Sequence, residues 1–288
     1  MSWLHDKLDP VERHIFRSGL VKVGLFDCPG NHACFPVTES VRNNLFVLAT
    51  KPVWFRRNTR GFRYVGPGGV LLHPAGASIE RQQGSSAHDR SYWFAIRPDV
   101  YSEIARSHRI DQRLPTDALC PSPAIQLELN VLLRRLRRDG VAALEVEASV
   151  ISLMDNICTA MGASQPPPGM LHARATTRTR AHRQADAAKS FLDAHIAERL
   201  NIDAVAAEVG VSPYHLCRLF KSFNGITLHE YRIRQRLAFV MHRLVERRRH
   251  NLTDLALEAG FSSHSHLTRM FKKRLGVAPS AVRNLTLA

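Results

Sequence analysis

Toward its C-terminus the chain says almost the same thing twice. A motif that recurs at a fixed interval must fold as a repeated supersecondary unit. Asn201, Ala206, Glu208 and Gly210 return 50 residues later as Asn251, Ala256, Glu258 and Gly260. Ser212 returns as Ser262, one residue is inserted, and the register then runs at an offset of 51. Leu216, Arg218, Phe220, Lys221 and Gly225 recur as Leu267, Arg269, Phe271, Lys272 and Gly276. Each copy reads as a helix, a three- or four-residue turn and a second helix.

The residue types meet the mechanical needs of a helix-turn-helix. Asn201 and Asn251 are N-cap residues, the latter with Asp254 at the capping-box position. Gly210 and Gly260 fall where a helix must stop and the backbone needs a positive φ. Ser212 and Pro213 form a cap and first-turn pair. Ala206 and Ala256 are small where two helices must cross closely. The second helices are expected over about 213–223 and 264–274, with Leu216, Leu219 and Phe220, and Leu267, Met270 and Phe271, as the buried stripes. The opposite faces carry Tyr214, Cys217, Arg218 and Lys221 in one copy, and His264, Ser265, His266, Arg269 and Lys272 in the other. Donor-rich side chains near a helix N-terminus suit the major groove of duplex DNA. Between the copies, 228–247 reads as one helix of roughly 30 Å, close to the ~34 Å of one turn of B-DNA. Arg247, Arg248, Arg249 and His250 follow it, either as phosphate contacts or as solvated charge.

Charge points the same way. The chain has 40 basic and 25 acidic residues, and polyanions are the natural partners of such a balance. The excess is uneven: 1–165 hold 20 basic and 16 acidic residues, 166–288 hold 20 and 9. The repeat sits in the more basic part. The five cysteines, Cys28, Cys34, Cys120, Cys158 and Cys217, are odd in number and include no CxxC pair. That pattern suits a reduced cytoplasmic setting better than a disulfide framework. No secretory signal is expected from a start carrying His5, Asp6, Lys7 and Asp9. No apolar run approaches the ~20 residues that span a bilayer, so no membrane partner is expected.

The first half reads as mostly β. Val21–Cys28, Leu45–Ala49, Val53–Arg57, Phe62–Val65, Val70–His73 and Tyr92–Ile96 are short and rich in β-branched or aromatic residues. Pro/Gly/Asn clusters punctuate them, and such strands favour a small barrel or sandwich. Helical periodicity then places Ile125, Leu129, Leu132, Leu133 and Leu136 on one side of 123–138. Val146, Val150, Leu153, Ile157 and Met161 do the same over 145–161, giving a helical hairpin broken at Asp139-Gly140. The hairpin packs on its own domain or, alternatively, forms a homodimer interface through 123–161. Residues 163–183, opening near Pro166, Pro167 and Pro168 and continuing Thr/Arg-rich, are expected to be a linker. The helix after it is expected over Ala185–Arg199.

The segment from Asn201 to Arg283 closely resembles the AraC/XylS family of bacterial transcription regulators. The resemblance rests on Ser212-Pro213-Tyr214-His215-Leu216-Cys217-Arg218-Leu219-Phe220, on the Gly260–Lys272 run, and on the tail Gly276–Arg283. It implies an α+β chain: an N-terminal cupin-like β-barrel sensor domain with a helical hairpin (1–162), the linker, and an all-α double helix-turn-helix domain (184–288). It implies a DNA-binding regulator, commonly an activator, with double-stranded DNA and RNA polymerase as partners, associated with the nucleoid. Tyr214, Cys217 and Arg218, and His264, Ser265, His266 and Arg269, occupy base-reading positions by this resemblance. Ser212, Lys221, Arg247, Arg248, Ser262 and Lys272 are the phosphate-contact candidates. Cys217 is less polar than usual there, and the Arg-rich 247–250 connection replaces a short Ser/Gly-type turn.

Residues Pro67–Gly76 look like a turn-strand segment of the family's cupin-like sensors, which imply a small-molecule effector. No cofactor is implied, since no His-x-His pair stands at the place that matches metal-binding cupins. Cys28, His32 and Cys34, with His73 or His88, form a competing zinc hypothesis at an uncommon spacing. The alternatives are a cupin-type metal enzyme with an accessory DNA-binding tail, and a regulator that needs no ligand.

Overall fold

The computed structural model describes residues 12–29, 38–58, 61–83, 88–108, 118–137, 140–163, 175–245 and 251–285. The N-terminal part is β-rich and the C-terminal part helical, an α+β arrangement. Among the described residues, ten strands form two sheets. The larger contains β1 (Glu12–Arg17), β2 (Val21–Pro29), β4 (Leu45–Ala49), β7 (Val70–His73), β9 (His88–Ile96) and β10 (Ala118–Leu119), in the order β1-β2-β9-β4-β7-β10. The smaller contains β3 (Thr38–Ser40), β5 (Val53–Arg57), β6 (Arg63–Val65) and β8 (Ser78–Gln83), in the order β3-β8-β5-β6.

The expected barrel is not closed. The steps β4→β5, β6→β7, β7→β8 and β8→β9 each cross from one sheet to the other. At these steps successive strands lie in different sheets instead of pairing edge to edge, and the product is a two-sheet sandwich. Ala49 and Leu71 of the larger sheet pack against Val53, Phe55 and Val65 of the smaller. On the far face of the larger sheet, Tyr92, Phe94 and Ile96 meet helices α2 (Pro123–Arg135) and α3 (Ala143–Ala163). Val21, Val23 and Leu25 alternate with Lys22 and Gly24 along β2, yet all of Val21–Phe26 is buried, because both faces of the sheet are covered. Helix α1 (Pro98–Ser107) contributes Tyr101 and Ile104 to the same core.

The C-terminal part contains α4 (Ala175–Ala194), α5 (Ile202–Glu208), α6 (Pro213–Asn224), α7 (Leu228–Val245), α8 (Leu252–Glu258), α9 (His264–Leu275) and α10 (Pro279–Leu285). Helix α3 ends at Ala163 and helix α4 starts at Ala175, so ten residues of the segment expected as linker, 163–183, are helical. The three prolines lie outside the described residues. Cys28 is disulfide-bonded, whereas Cys120, Cys158 and Cys217 are free. The expectation of five reduced cysteines is corrected at that residue.

The two parts meet along a polar seam. Arg63 of β6 donates to Asp186 of α4 at 2.7 Å, and Lys189 Nζ lies 2.6 Å from the other oxygen of that carboxylate. Lys189 also donates to the Tyr64 carbonyl at 3.0 Å. Burial would push the Asp186 carboxyl up, but Lys189 and Arg63 overcome it and hold it below the usual range. Beside this triad, the Tyr64 and Tyr231 hydroxyls donate to Asp193 Oδ2 at 3.0 and 2.8 Å. Gly66 sits so close to that oxygen that a Cβ there would collide with it. Helix α2 is enclosed twice: Leu129, Leu132 and Leu133 enter the sheet core, while Leu127 packs on the core built around α7.

Candidate nucleic-acid interface

Each copy of the repeat folds as a helix pair with its own core. Ala188, Leu192, Val205, Ala206, Leu216, Phe220 and Tyr231 fill the first. Leu255, Ala256, Phe261, Leu267 and Phe271 join Leu237, Val240 and Met241 in the second. Helix α7 thus buries its N-terminal end in one core and the rest of its length in the other.

The turns are built alike to the level of single hydrogen bonds. Val211 N–H donates to the Ala206 carbonyl at 3.0 Å and Gly210 N–H to Ala207 at 3.1 Å. In the second copy, Phe261 N–H donates to Ala256 and Gly260 N–H to Leu257, both at 2.8 Å. Both are Schellman endings, and both need the left-handed glycines at φ +66° and +78°. Asn201 Oδ1 accepts from Ala204 N–H at 2.8 Å, and Asn251 Oδ1 from Thr253 N–H at 2.9 Å, so both asparagines cap as expected.

The inserted residue decides where the second helix of the second copy, α9, begins. Ser212 Oγ caps α6 by accepting from His215 N–H at 3.3 Å. In α9 the cap is Ser263, whose Oγ accepts from His266 N–H at 3.1 Å. Ser262, the residue aligned with Ser212 in the repeat, is freed from capping and lies 3.0 Å from His266 Nδ1. Counted from the caps, Tyr214 corresponds to Ser265, Cys217 to Thr268, Arg218 to Arg269 and Lys221 to Lys272, whereas His264 corresponds to Pro213 and His266 to His215.

These positions form one outward face on each helix. Tyr214, Cys217, Arg218 and Lys221 are exposed, as are His264, Ser265, Arg269 and Lys272. Tyr214 is 72% exposed, costly for an aromatic ring unless a partner covers it, and the Arg218 guanidinium lies 5.8 Å from its ring. Arg218, Lys221, Arg269 and Lys272 pair with no acid among the described residues. His266 differs from the rest: it is half-buried, edge-on to Phe261 at 5.4 Å and bonded to Ser262. Burial, then Arg269 and Arg236, lower its pKa and favour the neutral ring. Thr268, half-buried and 3.4 Å from His264 Nε2, is the face residue that sequence reasoning passed over. Arg247 and Arg248 lie outside the described residues.

Many other cations of this part are used internally. Arg234 pairs with Glu230 at 2.9 Å, Arg274 with Glu230 at 2.5 Å and Arg243 with Glu258 at 3.2 Å. Arg236, one turn beyond Arg232 on α7, donates to the carbonyls of Ile196 and Glu198 at 3.1 and 3.2 Å. Arg232 donates to those of Leu200 and Glu198. Burial, then the Arg232 charge, lower the Arg236 pKa to about 10. Arg236 also lies 5.9 Å from the Phe261 ring, so it braces the first helix pair against the second.

For the zinc hypothesis, Cys28 is committed to its disulfide, and His32 and Cys34 lie outside the described residues. Burial, then Arg57 and Arg81, push the His73 imidazole down to about 3. No helix among the described residues is long and apolar enough to cross a membrane.

A family model described as a helix-turn-helix domain matches residues 205–285. The probable transcription factor PqrA of Proteus vulgaris is 38% identical over 86 residues, covering 30% of this chain and 70% of that protein. The regulatory protein SoxS of Salmonella typhimurium is 38% identical over 97 residues, covering 33% and 87%. Among solved structures, ToxT of Vibrio cholerae is similar over 92% of this chain and 98% of its own, at 11% identity and a TM-score of 0.36. These relatives are regulatory proteins, and the residues matched by the family model span most of the doubled helix pair described above. The chain is a DNA-binding transcription regulator and belongs to the AraC/XylS family.

Proposed function

We propose that α6 and α9 enter two successive major grooves on one side of duplex DNA, with α7 as the spacer. The observation that carries this is the pair of outward faces in common register from their caps. Each has an arginine and, three residues on, a lysine without an internal partner. The 18 residues of α7 make a rod of about 27 Å, and the Arg236 brace keeps the two helix pairs from turning independently. Tyr214, Cys217 and Arg218, and His264, Ser265 and Arg269, read bases. Ser212, Lys221, Ser262 and Lys272 approach phosphates. His266 acts through packing and Ser262 more than through a base edge. Thr268 joins the second face because it stands where Cys217 stands in the first. The regulator acts as an activator beside RNA polymerase and answers to a small-molecule effector. A homodimer through 123–161 would form through α3, whose Leu144 is 76% exposed, because α2 is covered by α7.

Genomic footprinting supplies the operator, and a salt series with Arg218→Ala and Arg269→Ala tests the face. Each substitution should cost about 1–3 kcal/mol at its own half of the site and relax base preference only there. Lys272→Ala should weaken all sequences alike and reduce the salt slope by about 1. Unchanged affinity and unchanged base preference in both arginine variants would overturn this reading face.

A further inference from the structure

A cavity of about 400 Å³ lies between the two parts of the chain. It is not between the sheets, where a barrel effector would sit. Its walls are the β4–β5 and β6–β7 turns, Tyr92 of β9, one side of α2, and Ala238–Arg243 on α7. It thus touches both the sandwich and the helix that spaces the two reading helices. Its size falls within the roughly 300–1,000 Å³ of small-molecule sites. At about 30 Å³ per water it could hold about a dozen such molecules.

Three features of the walls define what fits. Lys51, Arg137, His242 and Arg243 line the cavity, and among the described residues no Asp or Glu does. Arg137 donates to the Tyr92 hydroxyl at 2.8 Å and Arg243 pairs with Glu258 outside the cavity, so both guanidiniums are held in place. Leu48, Leu133, Ala238 and Phe239 give the same cavity an apolar floor. Gln126 of α2 is 1% exposed, yet neither its Oε1 nor its Nε2 has a hydrogen-bond partner. A buried amide left unpaired at both ends is rare in a folded protein, and this one is wedged against the Gly68 turn at the cavity wall.

We propose that this cleft binds a small organic acid. Its carboxylate lies among Lys51, Arg137 and Arg243, its apolar body lies on Tyr92 and Phe239, and the Gln126 amide completes its hydrogen bonds with the ligand. Because the acid touches both parts of the chain, it binds the docked arrangement more tightly than a separated one and shifts the population toward it. The assignment places the effector of the regulator proposed above, and in that sense rests on that reading.

Calorimetry on the intact protein tests it with three acids, 4-phenylbutyrate, indole-3-acetate and octanoate, each beside its neutral amide. At least one acid should bind one-to-one with Kd below about 1 mM, and its amide about tenfold more weakly or worse. Lys51→Met, at an exposed position, should weaken that acid at least about fivefold. Gln126→Leu should also weaken it, while the ligand-free melting temperature stays level or rises, because an unpaired buried amide has been removed. Three outcomes would overturn the proposal: no acid saturating below about 5 mM, amides binding as well as acids, or both variants binding like the parent. Footprinting of the same samples without acid separates the two readings. Intact DNA reading with no acid binding sinks the cleft alone, and acid binding without a footprint sinks the DNA face alone.

Discussion

Asp193 makes the seam between the two parts sensitive to pH. Its carboxylate takes both tyrosine hydroxyls on Oδ2, while Oδ1 is sealed from solvent without a partner. Burial raises its pKa to about 7, against the opposing pull of the two tyrosines and Lys189. A carboxyl whose pKa is higher folded than unfolded stabilises the fold fully below about pH 4 and loses that contribution as pH rises through about 7. Three units at 1.36 kcal/mol each set an upper bound of about 4 kcal/mol on the loss. Other groups titrate over the same range, so the informative quantity is a difference. Asp193→Asn keeps the shape and cannot ionise. It shifts the whole curve by a constant, since the new amide also needs a partner, but it removes the slope. Urea unfolding followed by tryptophan fluorescence should show the variant gaining up to about 4 kcal/mol on the parent between about pH 4.5 and 8.5. Trp54, with its ring 5.2 Å from that of Tyr64, reports close to the seam. Tyr64→Phe removes one donor that favours the charged form, so its loss should occur at still lower stability and higher pH. Parallel curves for the parent and Asp193→Asn would refute the reasoning: the carboxylate would then be hydrated and ordinary.

The repeat supports two more measurements by thermal unfolding. Ser263→Ala should cost about 1 kcal/mol by uncapping α9, whereas Ser262→Ala should stay within about 0.5 kcal/mol; equal costs would mean that the cap is misassigned. Gly210→Ala should cost about 1–2 kcal/mol, the left-handed penalty alone, because nothing lies within 4 Å of the added Cβ. Gly260→Ala should cost about 1–3 kcal/mol more, since its Cβ would fall 2.5 Å from both the Ile196 carbonyl and Arg236 Nη2. Similar losses at the two glycines would refute the crowding.

Local chemistry was legible where it was self-sufficient. Leu45–Ala49, Val53–Arg57 and Val70–His73 are strands over the ranges their apolar runs indicate, because each buries its own side chains. β8 was not legible: its Ser78–Gln83 run is mostly polar, and it is a strand because β5 and β3 pair with its two edges. β10 is two residues long and exists only through β7. The seam was hidden for the same reason. Lys189 and Tyr64 are 125 residues apart, and nothing in either neighbourhood signals the other. The sandwich in place of a barrel is likewise a matter of which edges pair, and alternation along a strand reports faces rather than edges.

The reading face was legible in composition but not in register. Aligning the repeats by residue identity matches Ser262 to Ser212 and makes His264 to His266 look like a block of bases' partners. Aligning them by physical role changes only the cap, because only one serine can accept from the third residue of the helix, and beyond the insertion both alignments run at the same offset. In α9 that serine is Ser263. The helix begins at His264, Thr268 stands beside Arg269 at the position of Cys217, and His266 turns toward Phe261. The insertion therefore lengthens the turn by one residue while leaving both arginines and both lysines at the same distance from their caps. A solution test follows from the geometry: Thr268→Ala should alter base preference in the second half-site more than His266→Ala does once folding losses are subtracted, and the reverse order would put His266 rather than Thr268 on the face.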